Sequence, residues 1–313
     1  MANKPLISIV APFFNEGEVV EEFHRRITEV TDAISDVEFE FVCVNDGSRE
    51  DTLERLRKLV AIDQRFRVID LSRNFGKEAA LTAGLDEARG SAVIPMDADL
   101  QDPPALIPTL IRQWKEGYEV VLAKRSDRQS DGFLKRTTAD LLYRMHNRIS
   151  DTVIPNDVGD FRLIDRAVVS ALHTLRERRR FMKGLFAWVG FKTTTVNYVR
   201  AARVAGVTKF TGWRLWNFAL EGITSFSTTP LRVWTYLGAS LAVSGFLYAV
   251  FIIARVLVYG KDTPGYASLL TANLGLGGVQ LMVIGISGEY IGRIYMESKQ
   301  RPIYIVRERI ERK

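Results

Sequence analysis

An α/β fold with a mostly parallel sheet and helices on both faces is predicted by three observations. From Pro5 to about Val121, short β-branched runs alternate with segments of helical periodicity. The runs are apolar nearly throughout, as strands are when both faces of a sheet are covered. Charged and turn-forming residues follow the runs, at the carboxyl ends of strands where such sheets bind ligands.

The elements follow in order. "LISIVAPF" reads as a strand, Glu18 to Ile34 as an amphipathic helix and "FEFVCVND" as a second strand. Arg49 to Asp63 reads as a helix, "FRVIDLS" as a third strand and Lys77 to Ala88 as a helix. "SAVIPMDAD", a helix from Pro104 to Lys115 and the strand "YEVVLAKR" complete the alternation. The strand exits "PFFNE", "NDGS", "SRNFGK" and "DADLQD" are expected to line one rim. Taken alone, "NDGSRED" is equally well explained as turn and helix-cap residues.

At 313 residues and 47% hydrophobic content, the chain can bury a full core. A length of roughly 150 residues per domain predicts one large domain and something more. The net charge of +6 suits an anionic partner: nucleic acid, a phosphorylated substrate or an anionic membrane surface. Cys43 is the single cysteine, which excludes a disulfide framework and a thiol metal site. The N-terminal "MANKPLISIV" lacks the pattern of a signal peptide.

The C-terminal third changes character. No charge occurs between Arg232 and Arg255 or between Asp262 and Glu289, and each stretch exceeds the roughly 20 apolar residues that span a bilayer. Two transmembrane helices are expected, at about 233–256 and 264–288 within residues 231–290. "GWRLWNFALEGITSFSTTP" reads as an interfacial helix over 211–230, with a soluble core helix as the alternative. The tail, 291–313, carries Arg293, Lys299, Arg301, Arg307, Arg309, Arg312 and Lys313. That asymmetry predicts a multi-pass protein of the inner (plasma) membrane, with the α/β domain, 1–210, and both termini cytoplasmic.

"MDADLQDPP" concentrates hard oxygen donors at the end of the fourth strand. Asp97 and Asp99 are expected on one face of an extended segment, with Gln101 adding a neutral oxygen. Such donors suit Mg²⁺ or Mn²⁺, which complete their shells with water and substrate phosphate. Arg73, Lys77 and Arg125 near the same rim are suited to a diphosphate. Neither G-x-x-x-x-G-K-[ST] nor G-x-G-x-x-G occurs, so a diphosphate held by metal and arginine points to a nucleotide-sugar.

"IVAPFFNE", "VNDGSRED", "LSRNFGKEAALTAGLDEARG", "MDADLQDPP", "DVGDFRLIDR" and "ITSFSTTPLR" together resemble the family-2 glycosyltransferases that act on polyprenyl phosphates. The resemblance runs from about Leu6 to Arg232 and is strongest to the bactoprenol glucosyltransferases, whose two-span tail also matches; dolichyl-phosphate mannose synthases are more distant. It implies a GT-A fold, a nucleotide-diphosphate sugar donor, a divalent metal and inversion at the anomeric carbon. It places Pro12, Phe14, Glu16 and Asp46 about the base and ribose, and Asp97 near the ribose and metal. Asp99 and Gln101 become metal ligands and Arg125 faces the diphosphate. Asp157 is expected at the donor sugar with Asp160 as a further ligand; a turn with an Asp160–Arg162 structural pair is the alternative.

The acceptor implied is a polyprenyl phosphate, undecaprenyl phosphate in the bactoprenol group. Its second pKa is about 6, so its oxygen attacks without a catalytic base, and cations must offset the repulsion of two anions. "RVAGVTKF" resembles the acceptor-phosphate segment and assigns Arg203 and Lys209; Arg136, beside Lys135, is the third cation. The family often has serine where Thr208 stands, and Thr137 and Thr138 are offset from the serine of the dolichyl enzymes. "RERRRF" reads as a solvated helix face, and His24, His146 and His173 have no ligand spacing. Glucose from UDP-glucose is the expected substrate, in a membrane-embedded enzyme without a nucleic-acid partner and compatible with a homo-oligomer. The alternatives are mannosyl transfer from GDP-mannose, a processive polysaccharide synthase, whose Q-x-x-R-W segment is not found, and a non-catalytic nucleotide-binding membrane protein.

Overall fold

Because the strands are apolar on both faces, alternate residues enter two separate cores. In the computed structural model, which describes residues 4–125, 158–175, 177–178, 180–198, 229–260 and 265–312, this is how the first half of the chain packs. Its elements are β1 (Leu6–Phe13), α1 (Val20–Asp32), β2 (Glu38–Asn45), α2 (Thr52–Ile62), β3 (Phe66–Leu71), α3 (Lys77–Glu87), β4 (Ala92–Pro95), α4 (Ile107–Lys115) and β5 (Val120–Arg125). Ile9, Phe13, Phe41, Cys43 and Phe66 pack with Phe23 of α1, Leu56 of α2 and Leu110 of α4. Val10, Val42, Val44 and Ile69 pack on the other face with α3. Each fully buried side chain of this size stabilises the fold by roughly 1.5–3 kcal/mol. Gly84 lets α3 lie directly on β1, since a Cβ there would meet Val10 Cγ1 at 2.2 Å. Burial also pushes the Cys43 thiol far up, consistent with a packing role.

The second half departs from the expectation. It contributes β6 (Val158–Asp165), α5 (Arg166–Thr174), α6 (Met182–Trp188), β7 (Thr193–Tyr198), α7 (Thr229–Tyr259), α8 (Tyr266–Ser298) and β8 (Val306–Ile310). The sheet order is β7-β5-β6-β4-β1-β2-β3-β8. Pairing is parallel within β4-β1-β2-β3 and between β5 and β7, but β6 is antiparallel to β4 and β5, and β8 to β3. The sheet is therefore mixed. "DVGDFRLID" is for the most part a strand, β6, not a turn, because Phe161, Leu163 and Ile164 are apolar enough to be buried between its neighbours.

The basic tail also differs from a free segment. β8 closes the exposed edge of β3, with Ser72 N–H donating to the Ile305 carbonyl at 2.9 Å and Ile310 packed against the core. Arg180 of "RERRRF" is 9% exposed and donates to the carbonyls of Leu172 and Leu175 at the end of α5, so it caps a helix and does not face solvent.

α7 and α8 are long helices of 31 and 33 residues. Among the described residues, one stretch, Tyr236–Tyr259, is long and apolar enough to cross a membrane. α8 is uncharged up to Gly288, but Asn273, Gln280 and several glycines dilute its apolarity. Phe246 and Leu257 of α7 are 69% and 81% exposed, so this helix is not a soluble core helix. The expected interfacial helix lies almost wholly outside the described residues.

An edge strand left bare presents unpaired backbone groups to other chains. Deleting residues 306–313 should therefore lower the thermal midpoint of the detergent-purified protein and raise its tendency to aggregate, as followed by unfolding scans with light scattering.

Candidate active site

Four strand exits meet on one rim, tied together by short polar side chains. Asn15, at φ 52°, follows β1; its N–H donates to Ser48 Oγ at 3.1 Å, and its Oδ1 accepts from Arg49 N–H at 2.9 Å. Asp46, after β2, accepts from the N–H groups of Phe75 and Gly76 at 2.7 and 3.0 Å. Gly47 makes this approach possible, since a Cβ there would stand 2.3 Å from the Arg73 carbonyl carbon at a φ of +62°. Burial raises the Asp46 carboxyl above its usual range, against the pull of those two N–H groups and of Arg73. Pro12 and Phe14 flank the end of β1, Phe14 44% exposed, and the Glu16 N–H donates to Thr52 Oγ1 at 3.2 Å.

β4 ends at Pro95, so Asp97 and Asp99 stand on a loop and turn, not on an extended strand as expected. Alternation persists there: Met96, Ala98 and Leu100 are buried while Asp97 and Asp99 are partly exposed. Leu100 at φ 56° turns the chain, and Gln101 N–H donates to Asp99 Oδ1 at 3.2 Å. Gln101 is 7% exposed and its buried Oε1 has no hydrogen-bond partner among the described residues. An orphaned amide oxygen beside two carboxylates fits a hard divalent cation. No cluster of three or more Asp, Glu, His or Cys residues is present among the described residues, so any such ion would rely on this mixed donor set.

Lys77, the first residue of α3, has its ammonium 2.6 Å from both Asp97 Oδ1 and Asp160 Oδ2. The lysine expected at a diphosphate is thus the counter-ion joining the β4 exit to β6. Burial disfavours the Lys77 charge, but Asp160 and Asp97 outweigh it and raise its pKa. Asp160 is held down to about 2: burial opposes ionisation, and Lys77 and Lys183 overcome it.

Arg125 closes the other side. Its Nε–H approaches the Tyr198 hydroxyl at 3.4 Å, and Tyr198 donates to the buried Asp102 at 2.5 Å. Burial works against the Arg125 charge, yet Tyr198, Asp102 and Asp97 keep it firmly protonated. Burial and Asp102 push the Tyr198 phenol up to about 12.

Pro12, Phe14, Glu16, Asp46, Lys77, Asp97, Asp99, Gln101, Arg125 and Asp160 all fall on or beside this rim. Asp157, Arg136, Arg203 and Lys209 lie outside the described residues. Sequence reasoning missed Asp102, Tyr198 and Glu78. Asp102 was visible within the quoted acidic stretch, whereas Tyr198 reaches the site only through the pairing of β7 with β5. Glu78 is raised to about 7, chiefly by burial and by Asp160, and accepts from Met182 N–H at 3.1 Å.

The mixed α/β sheet thus carries an oxygen-rich, arginine-flanked rim at the exits of its parallel strands. Residues 8–172 match glycosyl transferase family 2, and residues 229–294 match the GtrB C-terminal hairpin. The chain belongs to glycosyl transferase family 2. It is 54% identical over 301 residues to the bactoprenol glucosyl transferase of Shigella phage SfV, covering 96% of this chain and 98% of that protein. It is 51% identical to the prophage bactoprenol glucosyl transferase homolog of Escherichia coli (strain K12), over the same shares of the two chains.

Tyr198→Phe should remove the hydroxyl that donates to Asp102 and leave Arg125 less well held. A hydrogen bond to a charged group is worth about 1.5–3 kcal/mol. The expected outcome is a lower thermal midpoint and a raised KM for the nucleotide-sugar with a smaller change in kcat, measured by steady-state kinetics.

Proposed function

We propose that this glycosyltransferase transfers glucose from UDP-glucose to undecaprenyl phosphate on the cytoplasmic face of the plasma membrane, with inversion and with Mg²⁺ or Mn²⁺. The observation that carries the proposal is similarity to bactoprenol glucosyl transferases across 96% of the chain, catalytic sheet and helical hairpin together.

In the reaction, a phosphate oxygen of the acceptor forms a bond to the sugar C1 as the bond from C1 to the diphosphate breaks. The acceptor oxygen is already ionised near neutral pH, so no side chain need remove a proton. Pro12, Phe14, Glu16 and Asp46 border the base and ribose, and Arg125 offsets charge on the diphosphate. Asp99 and Gln101, with Asp97, would hold the metal, which when bound supplies positive charge to the leaving diphosphate. Lys77 holds Asp97 and Asp160 in place, with Asp160 and Asp157 toward the donor sugar. Arg136, Arg203 and Lys209 are the acceptor-phosphate cations in this scheme.

The catalytic domain spans 1–210, the interfacial helix 211–230, the two spans 231–290 and the tail 291–313. The exposed apolar surface of α7 supports membrane insertion. Pairing of β8 with β3 supports a hairpin topology, because it returns the chain after α8 to the catalytic sheet.

UDP- and GDP-sugars should be screened with polyprenyl phosphate, reading the lipid-linked product; UDP-glucose is expected to be the best donor, and preference for GDP-mannose would favour a mannosyltransferase. Asp99→Ala should abolish transfer with the fold retained by circular dichroism, and excess EDTA should do the same to the parent. Activity surviving either treatment would remove the metal from the scheme.

Tags at Asn3 and Lys313 should be accessible only from the cytoplasm and a tag at Asp262 only from outside, as read by protease or thiol labelling of intact cells. A C-terminal tag on the outside would break the hairpin.

A further inference from the structure

Beside Asp160, between β5, β6, β7 and α6, lies a cavity of about 190 Å³. Leu122, Val158, Phe186 and Phe191 give it apolar walls, and two cations, Arg162 and Lys183, line it as well. Arg162 is 4% exposed; one terminal nitrogen donates to the Gly159 carbonyl at 2.6 Å, and the guanidinium lies 4.2 Å from the centre of the Phe186 ring. Its buried Nε–H has no acceptor among the described residues. Lys183, partly exposed, makes no side-chain hydrogen bond or ion pair among the described residues.

Among the described residues, the nearby charges do not balance these cations. Asp160 gives one oxygen to Lys77, which Asp97 also contacts. Glu78, raised to about 7, is only partly ionised at neutral pH. Burial pulls the Arg162 guanidinium down to about 10 despite Asp160 and Glu78, the mark of a buried cation short of counter-charge.

We propose that this cavity is an anion subsite for the lipid acceptor, with the phosphate against Arg162 and Lys183 and the first isoprenoid carbons against Leu122, Val158, Phe186 and Phe191. The inference rests on the polyprenyl-phosphate reading above and adds two cations to it. A free anion would leave the aromatic walls unused, and a neutral hydrocarbon would leave Arg162 uncompensated. A phosphate monoester on a hydrocarbon chain satisfies both. Asp160, whose charge Arg162 and Lys183 both feel, is joined through Lys77 to Asp97, which ties the subsite to the rim.

The test measures binding of farnesyl phosphate, farnesol, inorganic phosphate and UDP-glucose to the full chain in detergent, by calorimetry. Lys183→Gln should weaken farnesyl phosphate binding roughly tenfold to hundredfold, the usual effect of losing one charge-assisted contact. Ala187→Trp, which fills the cavity from its wall, should abolish that binding. Both variants should keep the UDP-glucose affinity and thermal midpoint of the parent. Unchanged farnesyl phosphate affinity in both variants overturns the subsite while leaving the acceptor class intact. Inorganic phosphate binding as tightly as farnesyl phosphate overturns the hydrocarbon half of the proposal. A parent that binds no farnesyl phosphate, yet glycosylates an acceptor that is not a lipid phosphate, overturns the polyprenyl-phosphate reading itself.

Discussion

The ammonium of Lys77, held between Asp97 and Asp160, is the contact on which the rim depends. It joins the first turn of α3, the exit of β4 and the antiparallel strand β6. Without a cation there, two carboxylates would face one another in a partly buried setting and one would take up a proton. About 45% of the Lys77 side chain remains exposed, so water screens part of the interaction and its value is positional as much as energetic. The lysine fixes where Asp97 points.

A second constraint acts through the backbone. Asp46 uses both carboxylate oxygens on the loop that leads into α3, and Gly47 lets that loop approach. Asn45 continues the connection, donating to Asp70 at 2.7 Å, and Asp70 lies 3.5 Å from Arg307 of β8. The strand that follows α8 therefore touches the network that holds the loops leaving β2 and β3. The two long helices and the rim are linked through one sheet edge.

Much of the first half was legible because its signals are local. An apolar run buried on both faces and an amphipathic helix are periodic patterns, and β1 through β5 with their helices follow them. The clustering of "NDGS", "SRNFGK" and "DADLQD" was legible too, since parallel strands bring their carboxyl ends together. The extended geometry expected for Asp97 and Asp99 was not realised: the ladder stops at Pro95, and Leu100 takes a left-handed conformation. The placement of β6 and β8 was also hidden. Antiparallel insertion of one strand and the return of another across more than two hundred residues leave no local period to read.

By itself, the sequence determined the alternating α/β order, the acidic exit of the fourth strand, the two uncharged helices and the family resemblance, because each resides in residue types at short spacing. Only the tertiary structure decided that Lys77 would be a counter-ion to Asp97 and Asp160, that Tyr198 would join Asp102 to Arg125, and that Arg162 and Lys183 would line one cavity. Those partners are distant along the chain, and their charges acquire a role only when burial removes water and the pairing of β5, β6 and β7 sets which side chains meet.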